Sequence, residues 1–434
     1  MPCRDLAYSG PESWPAIKDW LAPRAEPGAA VDDAVAAILA DVRARGDEAL
    51  ADYGRRFDCQ TLTTAALRVP AAEIAAARAQ VSPQDMDILT EAAANIRAFH
   101  EGQRENSWWT TRADGTILGQ LVRPVDRVGL YVPGGQAGQT PLVSSLLMNA
   151  IPAQVAGVGS LCVASPPRPD GSLDPVLLAT AALLGIDEVV RMGSAWAVAA
   201  LAYGTATVAP VDVIAGPGNI YVTTAKRLLM GRVGIDMIAG PSEIAIIADA
   251  SANPGWLAAD MLSQAEHDPL ASAILATPDA ALARAVRAEL ARQTALLPRA
   301  DIAARALAAW GATILTPDLD AALDLVNHLA PEHLELAVAD PWALVGRVRH
   351  AGAIFMGHTS PEPVGDYFAG PNHVLPTLST ARFSSALSVQ TFIKKSSVVA
   401  TSPTFTAANA PKIARLARME GLEAHARSVE ARRG

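Results

Sequence analysis

The spacing of apolar positions changes along the chain, and each change marks an element. Residues 1–30 are Pro-rich and weakly periodic, so an irregular N-terminal arm is expected there. From Val31 the apolar residues Val31, Val35, Ile38, Leu39 and Val42 recur at helical spacing, and Gly46 supplies a stop. Ser82-Pro83-Gln84-Asp85 reads as a helix cap with proline at the first helical position, opening a helix that runs to His100. The first hundred residues are therefore expected to be mainly helical.

After Arg127 short apolar runs alternate with helical segments. Strands are expected over 128–132, 159–165, 188–192 and 211–215, with helices over 144–155, 176–184, 195–203 and 220–229 between and after them. Such alternation requires right-handed crossovers and a parallel sheet. Short strands at 235–238 and 244–247 flank Ala239-Gly240-Pro241-Ser242-Glu243, which reads as a crossing between domains. Asn253 caps and Pro254 starts a helix whose far end carries Gln264 and His267. A strand over 272–277 and a helix over 279–293 continue a second α/β unit. The amphipathic stretch 409–420 forms a last helix, too small to make its own core, so it docks on its own domain or on a neighbouring subunit.

Composition narrows the class. A chain of 434 residues predicts two or more domains. The net charge of −9 excludes a phosphate-backbone partner, which needs clustered Lys and Arg. Residues 128–167 carry no charge, but Pro133, Pro141 and Pro152 interrupt them, so a doubly covered sheet is expected rather than a membrane span. The three cysteines are odd in number and widely spaced, and no secretory signal opens the chain. A reducing cytoplasm is the expected setting.

The chemistry concentrates in the second half. Gln264 and His267 are three apart on the expected helix, so both can meet one ion, with Asp366 and a further histidine completing a mixed N/O set. The other reading has them satisfying carbonyls at a helix end, with Asp366 as a turn residue. Glu332 and His333 follow Pro331 and form a candidate acid/base pair; alternatively Glu332 complements a helix dipole. Gly216-Pro217-Gly218-Asn219 between strand and helix, and Pro133-Gly134-Gly135, could cradle a phosphate or be tight turns.

Six segments occur in the order found in one family. They are Arg127-Val128-Gly129-Leu130-Tyr131-Val132-Pro133-Gly134-Gly135, Gly216-Pro217-Gly218-Asn219, Ala239-Gly240-Pro241-Ser242-Glu243, Gln264-Ala265-Glu266-His267, Ala330-Pro331-Glu332-His333-Leu334-Glu335-Leu336 and Asn372-His373-Val374-Leu375-Pro376-Thr377. From Val31 to Ala426 the chain resembles histidinol dehydrogenases. The resemblance implies oxidation of L-histidinol to L-histidine through L-histidinaldehyde in histidine biosynthesis, with two NAD⁺ reduced in turn and one zinc per site. It implies an α/β fold of two Rossmann-like, incompletely doubly wound parallel-sheet domains in a homodimer with shared active sites. Residues 31–126 and 243–380 would form the first domain, 127–242 the dinucleotide domain, and 381–434 an extension exchanged with the partner.

By the same resemblance Gln264, His267 and Asp366 would hold zinc, with His425 of the partner subunit as fourth ligand. Glu332 and His333 would be the acid/base pair. Substrate would meet Ser242, Gln264, His267, His333, Asp366, His373, Glu420 and His425, and the dinucleotide would meet Tyr131, Trp196 and Asn219. The chain departs from the family at Trp196, where a glutamine is usual, and in a longer loop over 136–142. Three alternatives remain: a relative acting on a sulfonated or other small diol, a zinc hydrolase, and a non-catalytic member of the family in which Trp196 abolishes cofactor binding. The intact Pro241-Ser242-Glu243 and Pro331-Glu332-His333 favour histidinol over the diol.

Overall fold

A computed structural model describes residues 3–25, 29–134 and 142–432. Strand β1 (Arg4–Ala7) and helices α1 (Trp14–Leu21), α2 (Ala29–Arg45), α3 (Asp47–Phe57), α4 (Ala71–Ala77) and α5 (Pro83–Glu101) come first. Strands β2 (Trp108–Thr111), β3 (Ile117–Pro124) and β4 (Arg127–Tyr131) follow. Then come α6 (Val143–Ala156), β5 (Ser160–Ser165), α7 (Pro175–Leu183), β6 (Val189–Arg191), α8 (Ser194–Tyr203), β7 (Val213–Ala215), α9 (Ile220–Leu229) and β8 (Gly234–Ile235). The next unit runs β9 (Glu243–Ala248), α10 (Pro254–Ala265), β10 (Ser272–Thr277), α11 (Ala280–Thr294), α12 (Ala300–Trp310), β11 (Gly311–Leu315) and α13 (Leu319–Leu329). It continues through β12 (His333–Ala337), α14 (Trp342–Val345), β13 (Ala353–Met356) and α15 (Glu362–Tyr367). The chain closes with β14 (Ile393–Ala400), α16 (Pro403–Met419) and α17 (Glu423–Glu430).

Two parallel sheets result, as the alternation required. One has the order β6-β5-β4-β7-β8, the other β1-β11-β10-β9-β12-β13. In each, leaving aside the edge strand β1, the first three strands step one way and the next two fall on the other side of the first. That is the arrangement of an incompletely doubly wound fold. Both faces of the strands are covered, so β9 and β10 are buried along their whole length. In β12 the pleat sends Leu334 and Leu336 into the core under α13, where each buried leucine contributes about 1.5–3 kcal/mol. His333 and Glu335 consequently face the other way, towards α10 and α15.

Several expectations change. The arm over 1–30 is ordered where β1 pairs in parallel with β11, and Arg24 is buried. Residues 31–126 were expected with 243–380, yet α2 and α3 bury Val35, Leu39, Val42 and Leu50 against Tyr131, Cys162 and α8 of the five-stranded sheet. A three-stranded antiparallel sheet, β14-β3-β2, joins the start of the expected C-terminal extension to residues 108–124 of the same chain. The last long helix starts earlier than expected, because Ser402 caps Phe405 N–H and Pro403 occupies the first turn. Strand β8 stops at Ile235, because Asp236 turns in to accept Gly216 N–H and pair with Lys226. No helix among the described residues is long and apolar enough to cross a membrane.

Candidate active site

The acid/base pair lies at the amino edge of the six-stranded sheet. His333 is the first residue of β12 and Glu332 the bend before it, both buried, so Glu332 is not in a helix turn. Each is held by one residue, Glu243 at the start of β9. The Glu243 N–H donates to Glu332 Oε2 at 2.8 Å, and the Glu243 carbonyl lies 3.0 Å from His333 Nδ1. A carbonyl only accepts, so Nδ1 carries the hydrogen and Nε2 presents its lone pair. That Nε2 is buried with no hydrogen-bond partner among the described residues.

Carboxyls crowd that lone pair. His333 Nε2 is 3.8 Å from Glu362 Oε1 and 3.8 Å from Asp366 Oδ1, both on α15. Gly365 lets this helix approach, since a Cβ there would come within 2.7 Å of the Phe355 ring. His333, Glu362 and Asp366 can each offer an atom to one ion, all within 4.8 Å of one another. Gln264 at the end of α10 is also buried, with its Oε1 unpartnered. Unsatisfied buried acceptors of this kind carry a desolvation cost that a cation would remove.

The protonation states follow from burial. Desolvation pushes Glu332 well above the usual carboxylate range, with nearby Glu243, Asp366 and Glu362 adding repulsion. Glu362 and Asp366 are raised for the same first reason, as are Glu335 and Asp260, which share a hydrogen bond behind them. Burial pushes His333 down to about 3 and His373 down to about 4.

His267 lies beyond the helix expected to carry it. α10 ends at Ala265 with Glu266 as cap, because Pro269 cannot continue a helix and disfavours one before it. His267 N–H still reaches the Gln264 carbonyl at 3.2 Å. His373 is held by its Nδ1 at 3.0 Å from the Asp366 carbonyl. Ser242 precedes β9, its carbonyl accepting Ser272 N–H. Glu420 and His425 are exposed, on the cap of α16 and on α17, and His425 is not among the groups that converge within one chain.

The five-stranded sheet offers its carboxyl edge. β4 and β7 lie where the strand order reverses, the usual ligand crevice. Gly216 after β7 has φ 127°, and a Cβ there would sit 2.0 Å from the Tyr131 carbonyl, so only glycine brings the two loops together. The buried Lys226–Asp236 pair braces this turn, Lys226 Nζ donating to the Gly216 carbonyl at 3.0 Å. Asn219 Oδ1 caps α9 by accepting Tyr221 and Val222 N–H. Tyr131 is buried, its hydroxyl accepting Ser194 N–H at 3.1 Å, and burial pushes its pKa up to about 12.

Trp196, expected beside the dinucleotide, packs against two other aromatic rings. It is 5% exposed and stacks on Tyr53 and Phe57 with centroids 5.5 Å apart in each case, so little of its ring remains for a ligand. Residues 135–141, which include all but Leu142 of the loop expected to be long, lie outside the described residues. Sequence reasoning missed Arg24, Glu243 and Glu362. Glu362 stands four before Asp366, on the same helix face, a spacing that could have disclosed it.

A sequence profile described as histidinol dehydrogenase matches residues 23–433. The chain is 65% identical over 432 residues to histidinol dehydrogenase of Nitratidesulfovibrio vulgaris, covering 100% of this chain and 99% of that one. It is 63% identical to histidinol dehydrogenase of Oleidesulfovibrio alaskensis, covering 100% of both. The crystal structure of histidinol dehydrogenase from Elizabethkingia anophelis matches with a TM-score of 0.92 at 35% identity, covering 99% of this chain and 98% of that one. With motifs, fold and nearly full-length matches in agreement, the chain belongs to the histidinol dehydrogenase family.

Proposed function

We propose that this chain oxidises L-histidinol to L-histidine through L-histidinaldehyde, using zinc and NAD⁺, in the cytoplasm. The observation that carries this reading is the free Nε2 of His333, held by Glu243 and facing Asp366 and Glu362. An imidazole so oriented can take the proton of a substrate hydroxyl. Glu332 stands 3.6 Å from His333 Nδ1 and would take a proton from water when the aldehyde is hydrated. As water adds, His333 returns its first proton to the aldehyde oxygen, and so can accept a proton again in the second oxidation. Each oxidation sends a hydride from the substrate carbon to the dinucleotide and a proton to the protein, so charge balances.

The donor set fits zinc. Gln264, His267 and Asp366 would supply mixed N/O ligands, and the buried Gln264 Oε1, which accepts no hydrogen bond from the described residues, suits a cation. Bound there, zinc would hold substrate nitrogens and keep the neighbouring carboxyls charged. The Gly216 turn fits a dinucleotide phosphate, because a Cβ would fill it. Residues 127–242 would thus form the dinucleotide domain, with Tyr131 and Asn219 beside the cofactor.

Glu420 and His425 belong, in this reading, to the site of a second copy in a homodimer. Leu416, Met419 and Leu422 lie exposed on the same helical pair, an apolar surface that a partner subunit would cover.

The test is to give zinc-loaded protein L-histidinol and NAD⁺ and count NADH against histidinol consumed. Two NADH per histidinol, abolished in His333→Ala, is the expected result. No NADH from folded, zinc-loaded protein overturns it and brings forward the sulfonated diols.

A further inference from the structure

Both members of the acid/base pair hang on a single peptide backbone. The N–H and carbonyl of Glu243 hold Glu332 Oε2 at 2.8 Å and His333 Nδ1 at 3.0 Å. A shift of that residue would move acid and imidazole together, and loss of its carbonyl contact would free His333 to change tautomer. What fixes Glu243 therefore matters to both.

Its side chain leaves on the opposite face of the sheet. Ile244 and Ile246 point to α10, so Glu243 alternates with them towards the side of α1 and α13. There Glu243 Oε1 accepts Arg24 Nη1 at 2.7 Å, and Oε2 accepts Leu378 N–H at 3.2 Å. The two side chains are 2% and 10% exposed. Arg24 also donates Nε to the Leu270 carbonyl at 2.8 Å and Nη2 to the Ser242 carbonyl at 3.3 Å. One guanidinium thus ties the start of β9 to the turn before β10. Buried ion pairs add little net stability over apolar packing, and their best-attested use is to fix one arrangement.

We infer that Arg24 and Glu243 are positioning residues for the acid/base pair, the guanidinium–carboxylate contact fixing the one residue whose backbone orients Glu332 and sets the tautomer of His333. The inference rests on the acid/base reading of that pair. It assigns a role in the reaction to the N-terminal segment, which touches neither Glu332 nor His333 through Arg24 itself. Arg24 and Glu243 also line a cavity of about 370 Å³ with Trp14, Lys18, His328 and Arg382. A truncated Arg24 would leave room there for a small cation.

The experiment compares wild type, Arg24→Ala, Arg24→Lys and His333→Ala as zinc-loaded full-length protein, with guanidinium chloride added well below denaturing levels. Displacing a catalytic group by about 1 Å costs about 100-fold, so Arg24→Ala should lose about that much kcat with KM for L-histidinol unchanged. Guanidinium should restore part of the kcat. Arg24→Lys should lose less, since an ammonium keeps the charge but not the fork to Leu270 and Ser242. This variant carries the test should Arg24→Ala fail to fold.

Wild-type kcat in both Arg24 variants, with His333→Ala inactive, overturns the inference and leaves the acid/base reading standing. A loss that only tracks the folded fraction, without rescue by guanidinium, also overturns it. Full activity in His333→Ala overturns the acid/base reading and this inference with it.

Discussion

In the five-stranded sheet the candidate loops leave the carboxyl ends of β4 and β7, whereas in the six-stranded sheet the acid/base pair stands at the amino ends of β9 and β12. The two sheets share a strand order, and topology alone would direct attention to the carboxyl edge of both. The link between them accounts for the difference. Residues 236–242 pass from the carboxyl end of β8 to the amino end of β9. Thr223 Oγ1 donates to the Ala239 carbonyl at 3.1 Å, and Gly240 N–H donates to Thr377 Oγ1 at 2.5 Å. Opposite edges are thereby held at one junction. The lesson is that a repeated topology need not repeat its site.

The edges also differ in electrostatics. At the carboxyl edge Lys226 is paired with Asp236. At the amino edge carboxyls cluster around an imidazole with unpartnered atoms, the pattern of a site awaiting a ligand rather than of a brace.

The largest expected effect belongs to the amino edge. His333→Ala should lower kcat by roughly 10²–10⁴-fold, read from initial rates, while a change at the carboxyl edge such as Gly216→Ala should act mainly on KM for NAD⁺. If both variants lose kcat alone, the division of labour between the edges fails. Next comes Lys226→Met, which strands a buried Asp236 and should cost about 3–5 kcal/mol in urea unfolding. An unchanged midpoint would mean that the pair does not brace the turn.

Trp196→Gln should cost about 1–3 kcal/mol through two lost aromatic pairs, with no loss of affinity for NAD⁺ measured by calorimetry. Weaker binding in that variant would restore Trp196 to the cofactor site. A further contrast is a pH dependence. Burial raises Asp58 to about 7, above its unfolded value of about 3.9, so the folded state holds the proton more tightly. Its contribution is present below about pH 4 and is lost as pH rises through 7. Asp58→Asn should therefore raise the melting temperature at pH 8 more than at pH 4, and an equal shift at both would contradict the burial argument.

The alternation of runs after Arg127 made the parallel sheets legible, because buried strands and crossover helices have different periods. Gln264, Glu332, His333 and Asp366 were legible as chemical types in Gly- and Pro-punctuated segments. Arg24 was not, because an isolated arginine in a Pro-rich stretch has no periodicity, and only folding brings it to Glu243. Trp196 read as a cofactor contact because its position, and not its neighbours, was visible. Tyr53 and Phe57, far away in sequence, decide its setting. The Gln-His spacing alone predicts a helix through His267, whereas Pro269 ends that helix at Ala265.

The central claim is that the site forms at the amino edge of the six-stranded sheet and takes a metal there. Anomalous diffraction at the zinc edge, on crystals of active zinc-loaded protein, tests it most directly. The expected result is a single strong peak bounded by Gln264, His267 and Asp366, within reach of the Nε2 side of His333. A peak at any other position, or none in crystals that still turn over L-histidinol, would contradict the account.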